Sequence, residues 1–145
     1  VLAEVGIQSY LNRYDNPRTI RRRFSMLNNS GATLIQGQVV ILDSTATGDG
    51  INTTATNGDK KVIGMVDTTG ASGSATGVLV EGYTTKLYAV NGTSSLAIGD
   101  FLSTYSHAYY AKKAVTGDMA FAVCLEAPTT GTALVDALII NPRLI

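Results

Sequence analysis

The sequence has 145 residues, with 11 basic side chains balanced by 11 acidic ones. That is room for one domain with a single sizeable core, and the zero net charge leaves no overall field to draw the chain to nucleic acid or an anionic membrane. One cysteine excludes a disulfide within the chain, and no apolar run approaches the roughly 20 residues that span a bilayer. Val1-Leu2-Ala3-Glu4 lacks the apolar core of a signal peptide, so a soluble protein is expected.

Residues 1–23 differ in kind from the rest. They carry Arg13, Arg18, Arg21, Arg22 and Arg23 against Glu4 and Asp15, so this segment is net positive and the remainder net negative. Its apolar residues keep neither a strand nor a helix period and cannot bury one clean face. An arm is predicted, with Asn16-Pro17 placed to start a turn or a short helix through Arg23. The arginines could neutralise phosphates, or belong to a solvated tail. The composition favours a third reading, an arm that orders against a protein surface. In that reading Arg13, Arg18, Arg21, Arg22 and Arg23 pair with carboxylates while Tyr10, Leu11, Tyr14 and Ile20 fill grooves.

From Phe24 to the end the text is short β-type runs separated by Gly, Asn, Asp, Ser and Thr. Strands are predicted over 24–27, 38–42, 62–66, 78–81, 86–90, 101–105, 109–114, 120–126 and 134–140, forming one small all-β barrel or sandwich with an extended N-terminal arm. Turns such as Asn57-Gly58-Asp59 and Thr116-Gly117-Asp118 supply residues that accept positive φ or cap their own backbone.

The β region also matches itself. Leu34-Ile35-Gln36-Gly37-Gln38-Val39-Val40 parallels Leu96-Ala97-Ile98-Gly99-Asp100-Phe101-Leu102, and Val62-Ile63-Gly64-Met65-Val66-Asp67 parallels Phe121-Ala122-Val123-Cys124-Leu125-Glu126, in the same order. Each second segment leads through a Thr/Gly-rich loop to Leu79-Val80-Glu81 or Leu134-Val135-Asp136. Val-, Leu- and Gly-rich strands align with one another easily, so chance is the other reading.

Little here resembles chemistry. His107 sits in a turn-like stretch with no nucleophile elbow, and one His with one Cys cannot furnish a zinc site. Cys124 lies in an apolar run and reads as a small buried hydrophobe. Residues 43–54 have the length of a calcium loop and a glycine, Gly48, at its sixth position, but Thr45, Thr47 and Thr54 replace the acids, leaving a hairpin loop. Residues 70–77 lack the Lys and Ser/Thr of a phosphate loop and read as a mobile surface loop. The sequons at Asn28, Asn52 and Asn91 are expected by accident in so Asn-, Ser- and Thr-rich a chain. No cofactor, metal or enzymatic activity is expected.

Gly99-Asp100-Phe101-Leu102 and Phe121-Ala122-Val123-Cys124-Leu125-Glu126-Ala127, together with the arm, resemble decoration proteins of tailed-phage capsids. The similar segments there read roughly Ala-Gly-Asp-x-Val and Ile-Gly-x-Ala-Leu-Glu-Ala. The resemblance covers about residues 34–140, with Gln38 standing where the first copy would carry the acid. It implies a cement on the outer surface of the virion capsid, bridging major capsid protein subunits of the expanded head, often as a homotrimer, with no nucleic-acid or membrane partner. Tyr105, Tyr109 and Tyr110 then suit an oligomer interface. The alternative is a tail or head-fibre β module that binds a host-surface glycan through those same tyrosines.

Overall fold

The computed structural model describes residues 21–45, 49–91, 95–107, 109–126 and 131–145. Its nine strands are β1 (Arg21–Asn28), β2 (Val39–Leu42), β3 (Gly50–Asn52), β4 (Val62–Thr68), β5 (Ala75–Val90), β6 (Phe101–Thr104), β7 (Ala111–Lys113), β8 (Met119–Cys124) and β9 (Thr132–Leu144). They form one network in the order β1-β3-β2-β4-β5-β7-β6-β8-β9, with further pairings β1–β5 and β5–β9. The further pairings close two small rings, β1-β3-β2-β4-β5 and β5-β7-β6-β8-β9, that share β5. The fold is therefore all-β, as the sequence pattern predicts.

The two rings repeat each other pairing for pairing. β1–β3 and β5–β7 are the parallel pairs. β2–β3 matches β6–β7, β2–β4 matches β6–β8, β4–β5 matches β8–β9 and β1–β5 matches β5–β9, all antiparallel. β5 thus ends the first unit and begins the second. Its side chains alternate across the strand: Val78 and Val80 pack with Leu34, Val40, Ile51 and Val66 in the first ring. Leu79, Leu87 and Ala89 belong to a larger cluster with Phe121, Cys124 and Ile139. One strand walls two cores because its two faces are both apolar.

The repeated turn into β2 and β6 has the same construction in both units. Gly37 and Gly99 take φ of +100° and +90°, a region that costs a side chain but not glycine. Gly37 N–H donates to Val66 O and Gly99 N–H to Cys124 O, each at 2.8 Å. Gln38 Oε1 accepts Ile35 N–H at 3.1 Å where Asp100 Oδ2 accepts Ala97 N–H at 2.8 Å. The Gln-for-Asp difference between the copies is therefore an exchange of one acceptor for another, and the turn does not need the charge.

Several boundaries differ from the sequence pattern. The expected strands 78–81 and 86–90 are one strand, since Thr84, Thr85 and Lys86 read as a loop but a bulge between Thr84 and Leu87 carries the ladder through them. β3 was not expected: its one apolar residue, Ile51, is too little for a periodic signal, yet it is fully buried. Of the expected loop at 70–77, Gly70 bridges to Leu34 and residues 75–77 pair with β1, because the strand at 24–27 needs them as its partner. The proposed helix cannot reach Arg23, because Arg21, Arg22 and Arg23 are extended in β1. The self-match at 62–67 is also off by one: Val39 pairs Met65 and Phe101 pairs Val123, so Met65 corresponds to Val123 and not to Cys124. Ala122-Val123-Cys124-Leu125 is apolar at every position, and an unbroken apolar run hides a one-residue slip.

Candidate functional site

The arm's expected contact residues Tyr10, Leu11, Arg13, Tyr14, Arg18 and Ile20 lie outside the described residues. Its last three arginines stand in β1, and the sheet engages all of them. Arg21 Nη2 donates to Asp67 Oδ1 at 2.5 Å, and Arg23 Nη1 donates to Asp67 Oδ2 at 2.8 Å. The Asp67 side chain is only 3% exposed, so this carboxylate is held by two guanidinium groups at the edge of the core. Two register shifts flank the site: on β5 Val80 is the extra residue opposite Arg22 and Arg23, and on β4 Asp67 is itself the extra residue between Val66 and Thr68.

Arg22 points elsewhere, to Glu81 opposite it on β5, at 3.6 Å, with both side chains well exposed. A pair of that kind contributes little to stability, so Arg22 is the one of the three whose charge is largely presented to solvent. Beside this root, Arg23, Phe24, Ser25, Thr68, Ala75 and Gly77 line an open groove of about 370 Å³. Phe24 is 54% exposed in its wall.

The structure brings Tyr105, Tyr109 and Tyr110 together on the β6–β7 connection. Tyr109 and Tyr110 lie 4.8 Å apart between ring centroids, Tyr110 meets Tyr88 edge-on at 5.9 Å, and Tyr105 stacks on His107 at 5.0 Å. Tyr109 has a φ of +69°, and its carbonyl accepts Val39 N–H at 2.9 Å, which ties the second unit's loop to the first unit's β2. The Tyr110 hydroxyl is pushed above its ordinary range by burial and by Tyr109, partly offset by a hydrogen bond with Thr132. All three tyrosines are half-buried.

A second polar cluster sits at the unit junction. Asp118 Oδ2 accepts from Lys112 Nζ at 2.5 Å, Ser103 Oγ at 3.0 Å and Val115 N–H at 3.0 Å. Burial works to raise the Asp118 carboxyl, but the hydrogen bonds from Lys112, Val115 and Ser103 and the Lys112 charge outweigh it and hold the group below its usual value. An acid whose ionised form is favoured by these hydrogen bonds is a structural tie and a poor proton donor. Cys124 is fully buried, with its thiol pushed up by burial. Among the described residues no three His, Cys, Asp or Glu side chains converge as metal ligands. Asn28 is fully buried with Nδ2 donating to Ala32 O and Gly70 O, so its sequon is closed to glycosylation in the folded chain.

No family model matches the chain, and no curated protein matches it. Among solved structures it is similar to the base of the head fibre gp8.5 of bacteriophage phi29, with a TM-score of 0.53 at 18% identity, over 87% of this chain and 99% of that one. At that identity the likeness is one of fold.

Sequence reasoning missed Asp67, which it saw only as the acid closing a strand. The signal was available in the alternation Arg21-x-Arg23, which puts two cations on one side of a strand and calls for a counter-charge.

Proposed function

We propose that this chain is a structural protein of a tailed-phage head, mounted on the outer capsid surface and gripping major capsid protein subunits through residues 1–20 and the exposed Arg22. The observation that carries the reading is the shared fold: almost the whole of the phi29 head-fibre base superimposes on this chain. The sequence resemblance to capsid decoration proteins supports it independently, through the Gly99-Asp100-Phe101-Leu102 turn and the strand after Phe121. No catalytic role is proposed.

The Arg21–Asp67–Arg23 tie gives the arm a mechanical root. A segment that leaves a domain at a fixed point and angle loses less freedom on binding than one leaving from a loose end, and several arms on one assembly multiply weak contacts through effective concentration. Protein that binds only the expanded shell then stabilises that state by mass action. A second reading is favoured by the neighbour itself, a fibre base: the same domain would seat on the head and carry a projecting partner.

The test is co-sedimentation of the purified chain with expanded heads of its phage, at rising salt. Full-length chain is expected to pellet with heads at low salt, and a chain lacking residues 1–20 to stay in the supernatant. Equal pelleting of the truncated chain would remove the arm from the interface, and no pelleting of either would overturn the reading.

A further inference from the structure

Asn57-Gly58-Asp59 and Thr116-Gly117-Asp118 are the same turn in the two units, leading into β4 and β8. Both glycines take positive φ, +61° at Gly58 and +95° at Gly117. In both turns the aspartate caps nearby backbone: Asp59 Oδ1 accepts Lys61 N–H at 2.9 Å, and Asp118 Oδ2 accepts Val115 N–H at 3.0 Å. The first residue differs, and with it the chemistry. Asn-Gly is prone to deamidate, because a glycine nitrogen reaches the preceding side-chain carbonyl carbon unhindered. Thr-Gly offers no such carbon.

The surroundings differ as well. Gly117 has open space where a Cβ would stand, and its N–H donates to Ile145 O at 2.9 Å within its own unit. The first unit's turn is instead clasped by the second unit. Gly58 is buried, its N–H donates to Thr104 O at 3.0 Å, and its carbonyl accepts Met119 N–H at 3.4 Å. Thr104, itself fully buried, donates its hydroxyl to Thr56 O at 2.7 Å and accepts Asp59 N–H at 2.6 Å. Asn57 Oδ1 accepts Ser106 N–H at 2.8 Å. Each of these bonds crosses the junction between the units, and two of them hold the reacting groups. Ring closure requires the Gly58 nitrogen to lose its proton and meet Asn57 Cγ, yet that N–H is given to Thr104 and the Asn57 amide is fixed by Ser106.

We propose that Asn57–Gly58 is a deamidation site gated by the junction between the two units. When the clasp parts, the Gly58 nitrogen gives its proton to base and bonds to Asn57 Cγ. The Cγ–Nδ2 bond breaks, and the nitrogen leaves as ammonia after taking up a proton. Water then opens the resulting succinimide at either carbonyl, to aspartate or isoaspartate. The isoaspartate product adds one carbon to the backbone immediately before Gly58, which is seated so closely that even a Cβ on it would overlap Asp118. The clasp therefore does not close again, and junction opening is recorded covalently in one direction. The site does not depend on the head-binding role.

The test is peptide mapping by mass spectrometry of the full chain after incubation in mildly alkaline buffer, with conversion localised to Asn57 by fragmentation. Native wild type is expected to convert about 100-fold more slowly than the same chain in strong urea, since only the opened fraction reacts, and still faster than the globally unfolded fraction from urea denaturation would allow. Thr104→Val takes the hydroxyl from between Thr56 O and Asp59 N–H. It is expected to raise the native rate about 10-fold, the scale of leaving buried polar groups unpaired. Should that variant fail to fold by circular dichroism, wild type in urea below its unfolding transition gives the same information, its Asn57 rate climbing before the domain unfolds. Native wild type that converts as fast as the unfolded chain, an unfolded chain that leaves Asn57 intact, or native conversion no faster than global unfolding allows overturns the proposal.

Discussion

Replacing Arg21 and Arg23 singly and together by alanine tests the root of the arm by its energetics. Asp67 keeps 3% of its side-chain exposure, Arg21 35% and Arg23 56%, so the acid is desolvated and the cations are not. A hydrogen bond to a charged group is worth about 1.5–3 kcal/mol, and the exposure of the guanidinium ends brings each single loss down toward ~1 kcal/mol. Either single variant leaves Asp67 one cation. The double variant leaves a buried carboxylate with no guanidinium partner, a cost of about 3–5 kcal/mol. The double loss therefore exceeds the sum of the single losses by about 1–3 kcal/mol, the range of coupling between residues in one network. Urea unfolding of the four proteins in a double-mutant cycle reads this directly. Single effects that add to the double within about 0.5 kcal/mol would show that the two arginines act independently and that Asp67 is not their shared partner.

Other outcomes follow from the same structure. Gly37→Ala and Gly99→Ala remove equivalent glycines, but a Cβ at Gly37 would lie 2.0 Å from Lys86 O while one at Gly99 meets nothing within 4 Å. Gly99→Ala should cost about 1–2 kcal/mol of backbone strain, and Gly37→Ala substantially more by thermal melting, so equal costs would contradict the close approach. Thr76 Oγ1 is buried without a hydrogen-bond partner among the described residues. Thr76→Val is therefore expected to raise stability by about 1 kcal/mol in urea titration, and a loss would mean the hydroxyl is satisfied. Because Asp118 titrates below its usual value of 3.8 when folded, its contribution is complete above that pH and fades as pH falls through the lower folded value. The stability gap between wild type and Asp118→Asn should accordingly be flat above about pH 5 and narrow in acid; a gap that widens in acid would reverse the assigned direction.

What the sequence made legible is what depends on local chemistry. The glycine turns before Val39 and Phe101, the alternating runs and the order of the duplicated segments are all visible as residue types, and the rings reproduce them. What escaped depends on contacts distant in the chain. Thr84, Thr85 and Lys86 read as a loop by residue type, and only the pairing of β5 with β9 shows that the strand continues. Ile51 is core through its place beside β1 and β2, not through any pattern around it. The arginines read correctly as a charge boundary, but Asp67, 44 residues from Arg23, could be matched to them only once β1 and β4 were seen to flank β5. The tyrosines were found as a group: Tyr109 and Tyr110 pack on each other, Tyr110 meets Tyr88, Tyr105 stacks on His107, and the Tyr109 carbonyl ties the two units together.

Cryo-electron microscopy of the virions of its phage tests the head-surface role most directly. Density for the two-ring domain is expected on the outside of the capsid shell, with residues 1–20 running from the Arg21–Asp67–Arg23 root onto major capsid subunits. Density inside the shell, with the arginines against packaged DNA, would contradict it.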